Sequence, residues 1–281
     1  MGAVGTAVRP AGGSGNAASG GGSGRAAGGG LGGAVAAEWT KLWSVRSIWW
    51  SLLAGVVLMV ATSAQLAIYT ANSNTNADPS DNEGVVAVGT TAIRALELAQ
   101  FALVALAMLA ITSEYSTGTI RATLQWVPRR GRLLLAKTAV VGSVVFVAGA
   151  LLGILGAFVA RPVLGGWASF PASGTLGDAL AIGLYLALIG AFTLGVGAAL
   201  RSAVATLITV FMILTVVPAL LQASSITVIA RVADGLPGVA GEHFMLRDTA
   251  PYPAGVGLAV LAAWAVAGLV AGLLVLRRRD A

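Results

Sequence analysis

The chain has 281 residues, of which 57% are hydrophobic and 10% charged, and its mean hydropathy is +0.87. A soluble globular domain carries about 25% charged residues, so this composition excludes that class and indicates an integral membrane protein. The absence of cysteine excludes disulfides and thiolate metal sites, and the single histidine excludes a multi-histidine metal site. Most of the net charge of +6 lies beside apolar runs, where membrane topology and lipid contact account for it without nucleic-acid binding.

The first 33 residues form a tail of glycine, alanine and serine, with Arg9 and Arg25 as its only charges. Such a segment buries too little apolar surface to offset the entropy of ordering it. It also lacks the apolar centre of a signal peptide. We therefore predict a disordered cytosolic tail over residues 1–33.

Residues 34–47 show helical periodicity. Apolar residues share one arc and polar residues the opposite one: Val35, Trp39, Leu42 and Trp43 against Thr40, Lys41 and Ser44. Tryptophan anchors at the headgroup level, and lysine extends to water from the same depth. The pattern predicts an amphipathic helix in the inner membrane interface; the alternative is an inward extension of the first span.

Six apolar runs are long enough to cross a bilayer, which predicts an all-α integral membrane protein with six transmembrane helices. The expected spans are about 48–69, 91–112, 138–160, 178–200, 203–221 and 254–276. Most lysines and arginines near the span ends fall on one side, and positive charge is retained in the cytosol. Both termini are therefore expected to be cytosolic.

The second span contains two charges. Its unbroken apolar run, 98–111, covers only about 21 Å of a hydrocarbon core of about 30 Å, so the helix must reach back toward Thr91. Arg94 and Glu97 then lie in its outer part, one helical turn apart. Two interpretations stay open: the two side chains pair and extend toward water, or they line a substrate path.

A basic segment, residues 114–137, separates the second and third spans and is expected to face the cytosol. Gly118 allows the chain to turn, and Thr119 can cap a new helix. Ile120 and Leu124 then share one face of a helix of about two turns, which Pro128 ends. Two interpretations are open: a helix that docks a partner, or a membrane-surface loop whose arginines contact anionic lipid headgroups. The spacing alone favours the loop, because basic cytosolic loops are common in membrane proteins.

Motifs for chemistry are scarce. The only lysines, Lys41 and Lys137, do not follow glycine, so the chain has no phosphate-binding P-loop. His243 lies in an outer loop, where we interpret it as a surface residue, and no catalytic or metal-binding residue is predicted. The centres of spans three to six carry no charge, which argues against a proton-coupled carrier. Two small-residue pairs, Gly149/Gly153 and Gly268/Gly272, are expected by chance among 38 glycines.

Four short motifs occur in order around the six spans: Glu38-Trp39-Thr40-Lys41-Leu42, Glu114-Tyr115 with Gly118-Thr119-Ile120-Arg121, Pro128-Arg129-Arg130, and Leu276-Arg277-Arg278-Arg279-Asp280. Through them, residues 34–281 resemble a bacterial ABC-2 type transporter permease, the membrane subunit of an ATP-driven exporter. The long glycine-rich tail departs from the usual short N-terminus.

The resemblance implies roles for particular residues. An interfacial helix would comprise Glu38, Trp39, Lys41, Leu42 and Trp43. Coupling to an ATPase subunit would involve Glu114, Tyr115, Gly118, Thr119, Ile120, Arg121 and Leu124. Before the last span, residues 226–232 match the short helices that dip into the membrane in this family.

The resemblance also implies partners and location. ATP and Mg would be bound by a separate ATP-binding subunit, so this chain itself would hold no cofactor and would not be an enzyme. A second permease chain, identical or different, and membrane lipid complete the expected assembly, in the bacterial inner (cytoplasmic) membrane. The rival interpretation is an ATP-independent membrane protein, either a secondary carrier or a scaffold; a P-loop ATPase encoded beside this chain would argue against it.

Overall fold

A computed structural model of the protein describes residue 2 and residues 31–76, 78–118 and 130–278. These ranges are almost wholly helical. The helices are α1 Leu31–Ser44, α2 Arg46–Ser73, α3 Val88–Ser116, α4 Arg130–Leu164, α5 Ala172–Leu200, α6 Ala203–Phe211, α7 Val217–Gln222, α8 Thr227–Ala233, α9 Pro237–Leu246 and α10 Ala254–Arg278. Most of the tail predicted to be disordered lies outside the described residues.

Six helical segments are long and apolar enough to cross a membrane, which confirms the predicted all-α fold and the number of spans. They are α2, α3, α4, α5, the α6–α7 pair and α10, with mean hydropathies of 2.0 to 2.5. A π-helical segment, Met212–Val216, joins α6 to α7.

The polar connection after the second span is shorter than predicted. α3 continues to Ser116 and α4 already begins at Arg130. Glu114 and Tyr115 therefore lie in the last turn of α3, and Lys137 lies two turns inside α4. The prediction of a 114–137 loop was wrong at both ends, because these polar residues continue the two helices.

Two helices form the centre of the bundle. α3 and α5 are the most buried spans, whereas α2, α6–α7 and α10 lie at the periphery. α4 packs on α2, α3 and α5, and α10 packs on α5. The two strands, β1 Val86–Ala87 and β2 Ala168–Ser169, pair in parallel just before α3 and α5. We call the end of the bundle that carries α1 the α1 end, and the opposite end the distal end.

Glycines bring α5 into close contact with two neighbours. A Cβ at Gly153 would lie 3.0 Å from Ala179 Cα, and one at Gly272 would lie 2.6 Å from the Gly195 carbonyl oxygen. The two small-residue pairs that we attributed to chance thus sit at the α4–α5 and α5–α10 contacts. Close approach of helix backbones requires such small residues.

The distal connection between α7 and α10 folds into two short helices. α8 is mostly exposed, with Val228 at 73% exposure, whereas α9 has a buried face that includes Ala240 and Met245. Gly238 and Gly241 let α9 approach the Leu214 carbonyl oxygen and the Tyr185 ring. Residues 226–232, expected to match short helices that dip into the membrane, thus lie mostly in the exposed α8, and the small residues that allow close packing on the bundle are on α9.

Candidate functional site

α1 is a separate helix that packs against α4. Val45 is in an extended conformation (φ −94°, ψ 117°) and breaks the helix between Ser44 and Arg46, so α1 can leave the direction of α2. The buried face of α1 carries Ala34, Glu38 and Leu42, at i, i+4 and i+8. A carboxylate therefore lies in the middle of the packed face.

Four charged side chains meet where α1, α3 and α4 come together; we call them the basal charge cluster: Glu38, Lys41, Glu114 and Lys137. Lys137 Nζ pairs with Glu38 Oε2, lies 3.0 Å from Glu114 Oε1, and donates to the Ala110 carbonyl oxygen over 3.1 Å. Lys41 Nζ pairs with Glu114 Oε1 and lies 3.5 Å from Glu38 Oε1.

The basal charge cluster is largely buried. The side chains of Lys137 and Glu114 are 3% and 4% exposed, and that of Glu38 is 6% exposed. Two carboxylates and two ammonium groups balance, which is the condition under which buried charge is tolerated. Glu114 Oε2 is also buried, and it has no hydrogen-bond partner among the described residues. In the Glu114 carboxylate, Oε1 thus contacts both lysines, whereas Oε2 is hydrogen-bonded to neither.

Lys41 is the more accessible cation of the cluster. Burial by itself lowers the pKa of Lys41, but the hydrogen bond and charge of Glu114, with the smaller effect of Glu38, raise that pKa overall. The sequence interpretation placed Lys41 on a polar arc that faces water, and counted Lys137 among the surface charges that set topology. In the structure, both lysines instead contact the carboxylates of Glu38 and Glu114. One signal in the sequence pointed this way: Lys137 is the only charged residue in the mostly apolar stretch Leu133–Val141.

A second contact ties the end of α3 to the turn between α5 and α6. Tyr115 Oη donates to the Ala198 carbonyl oxygen over 3.4 Å, and the Arg201 guanidinium lies 5.3 Å above the Tyr115 ring. Just beyond, Gly118 has a φ of +71° and turns the chain out of α3. The remaining residues predicted for coupling lie outside the described residues: Thr119, Ile120, Arg121 and Leu124.

The tryptophans of α1 extend toward the first span. Trp39 and Trp43 make an edge-to-face contact at 5.8 Å, and Trp43 packs on Trp49 of α2 at 5.0 Å. Trp39 is 47% exposed, whereas Leu42 is buried. The predicted apolar arc is therefore divided between packing on the bundle and exposure at its surface.

Arg94 and Glu97 lie in a cavity at the distal end, which we call the distal chamber. Its volume is about 420 Å³, and α2, α3, α5, the π-helical segment, α7 and α9 contribute to its wall. Both side chains are exposed, and within the described residues no hydrogen bond or ion pair joins them. Glu242 of α9, which sequence reasoning did not select, lines the same chamber. The only histidine, at 243, is partly buried rather than on the surface, with Nδ1 3.3 Å from Asp248 Oδ2.

Comparison with known proteins identifies the family. A comparison with curated protein sequences found no match. A family model described as ABC-2 family transporter protein matches residues 34–230, which is most of the chain and includes most of α1, the basal charge cluster and the first five spans. The chain therefore belongs to the ABC-2 family of transporter proteins, and it is a multi-pass membrane permease.

Proposed function

We infer that this chain is the membrane-spanning subunit of an ATP-driven exporter in the bacterial cytoplasmic membrane, with the α1 end in the cytosol. The observation that carries the proposal is the basal charge cluster. It joins α1 to the ends of α3 and α4, the two helices that flank the segment expected to dock an ATPase. Movement applied to that segment would reach three helices together.

The transmission has a physical basis in the buried ion pairs. Separating Lys137 from Glu38 or Glu114 would leave a buried charge without its partner, which is costly. α1, α3 and α4 would therefore move together at their bases. The contact between Tyr115 and the Ala198 carbonyl oxygen extends this connection to α5, the most buried span.

The partners follow from the same arrangement. ATP and Mg would be bound by a separate subunit that carries the P-loop, and ATP hydrolysis there would supply the energy for transport. Two ATP-binding subunits require two membrane halves, so we propose a permease dimer with an identical or a different second chain. The peripheral spans α2, α6–α7 and α10 expose apolar surface for that chain and for lipid.

The test uses the full-length permease, co-expressed with the P-loop ATPase encoded beside it. Ile120 and Leu124 share the proposed docking face, and burying each would contribute roughly 1.5–3 kcal/mol. The double variant Ile120→Asp/Leu124→Asp should lower both ATPase co-purification and ATP-driven transport. The matched control is Arg129→Gln/Arg130→Gln/Arg132→Gln, which removes three charges beyond the predicted helix and should keep the ATPase bound.

Two outcomes would count against the proposal. If no ATPase is encoded nearby, or if the Asp variant binds it normally, an ATP-independent membrane protein is favoured. If the Gln variant loses the ATPase while the Asp variant keeps it, the contact is electrostatic and the assigned docking face is wrong.

A further inference from the structure

We propose that the distal chamber binds an organic cation with apolar substituents. The inference deepens the proposed function and rests on it, because it names the class of substrate that would pass through this part of the permease. It starts from the charges in the chamber wall: Glu97 and Glu242 carry two carboxylates, and Arg94 carries one guanidinium. The wall is therefore negative by one charge.

The charges belong to a cavity and not to a lipid-facing surface. A charged side chain that faces acyl chains is costly, so three of them around one cavity at the distal end indicate a water-accessible space. Arg94 and Glu97 are one turn apart on α3, and Glu242 arrives from α9, 145 positions later. The negative wall is thus assembled by the packing of α9 against the bundle.

The remaining wall provides apolar contact and a polar floor. Leu66, Leu214 and Met245 line the chamber, and the floor is a buried hydrogen bond of 2.6 Å from Tyr185 Oη to Gln100 Oε1. Thr215, on the π-helical segment, also lines the chamber, and its Oγ1 is buried with no hydrogen-bond partner among the described residues. π-Helical segments occur frequently at functional sites.

These features select for charge sign as well as for apolar surface. A cation would meet two carboxylates, whereas an anion would meet only Arg94 and would be repelled by both glutamates. The apolar side chains would cover the substituents of the ligand. Ligand sites commonly combine apolar side chains with a few polar or charged groups that fix orientation.

The test compares two probes of nearly the same size and shape but opposite charge, tetraphenylphosphonium and tetraphenylborate. Binding of each is measured by equilibrium binding to the full-length permease in lipid nanodiscs, with empty nanodiscs subtracted. We expect saturable binding of tetraphenylphosphonium alone. Glu97→Gln/Glu242→Gln, which preserves side-chain volume, should weaken that binding by roughly tenfold or more. Arg94→Gln, which removes a positive charge from the wall, should strengthen it.

The matched control is Asp81→Asn, which removes an exposed carboxylate at the same end of the bundle but outside the chamber. Thermal unfolding of every variant verifies that it is folded. The proposal is overturned if tetraphenylphosphonium shows no saturable binding, if tetraphenylborate binds equally well, or if the double Gln variant binds like the Asp81→Asn control. The assay contains no ATPase and no ATP, so its failure is distinct from failure of the coupling proposal.

Discussion

Lys137 and Glu114 are 23 positions apart in the chain, yet Lys137 Nζ lies 3.0 Å from Glu114 Oε1, between the bases of two different spans. The same ammonium group pairs with Glu38 of α1. One buried lysine therefore holds three helices together at the α1 end, next to the segment that we propose as the ATPase contact.

Replacing Lys137 with Met should destabilise the protein strongly. Glu38 and Glu114 would stay buried without their main cation, and breaking such a pair costs about 3–5 kcal/mol. Thermal unfolding in detergent measures the effect. The control is Arg277→Gln, an exposed basic residue at the same end, which should change stability by less than about 0.5 kcal/mol. Equal stability of the two variants would show that the cluster contributes nothing to the fold.

The contribution of Lys41 should depend on pH in the alkaline range. The pKa of Lys41 is raised above 10.5 in the folded protein, so its stabilising effect is fully present below about pH 10.5 and is lost as pH rises through the raised value. The difference in unfolding temperature between the wild type and Lys41→Gln should be constant at lower pH and shrink above about 10.5. A difference that persists unchanged at higher pH would contradict this assignment.

Adding a methyl group at Gly195 should disturb the α5–α10 contact. A Cβ there would lie 2.1 Å from the backbone carbonyl carbon of Gly268, and backbone atoms cannot move aside cheaply. Gly195→Ala should therefore cost about 1–3 kcal/mol or more in stability. Gly142→Ala is the matched control, because a Cβ at that helical position meets nothing within 4 Å. The measurement is the unfolding temperature of the two variants. Equal values would contradict a close contact between α5 and α10 at Gly195.

The proposed orientation can be tested with a reporter that is active only in the cytosol. We expect activity when the reporter follows Arg278 and none when it is inserted at Asp81, because α10 and the 3₁₀ turn Pro79–Asp81 lie at opposite ends of the bundle. The physical reason is retention of positive charge in the cytosol. Activity at both positions would require an even number of crossings between them, and would contradict the five spans that separate them in this fold.

Several features could be predicted from the sequence because a bilayer imposes them locally. A span needs about 20 apolar residues and internal hydrogen bonds for its backbone, so the number of spans and the all-α fold follow from hydropathy alone. Family membership likewise rests on short motifs in order, and the family match confirms it. The placement of Arg94 and Glu97 inside a helix also followed, since the apolar run 98–111 is too short to cross by itself.

The contacts between helices were decided only by the tertiary structure. The rotation of one helix relative to its neighbours determines whether a lysine contacts water or a carboxylate. The hydrophobic periodicity of a single helix does not predict that rotation. From the sequence, Lys137 is therefore interpreted as one of the positive charges that set the membrane topology, whereas in the structure it pairs with Glu38 of α1. The same holds for Glu242, which reaches the distal chamber because Gly238 and Gly241 let α9 pack closely on the Leu214 backbone and the Tyr185 ring. Hydropathy depends on each residue alone, whereas a buried charge is stabilised by its distance to a partner that is remote in sequence.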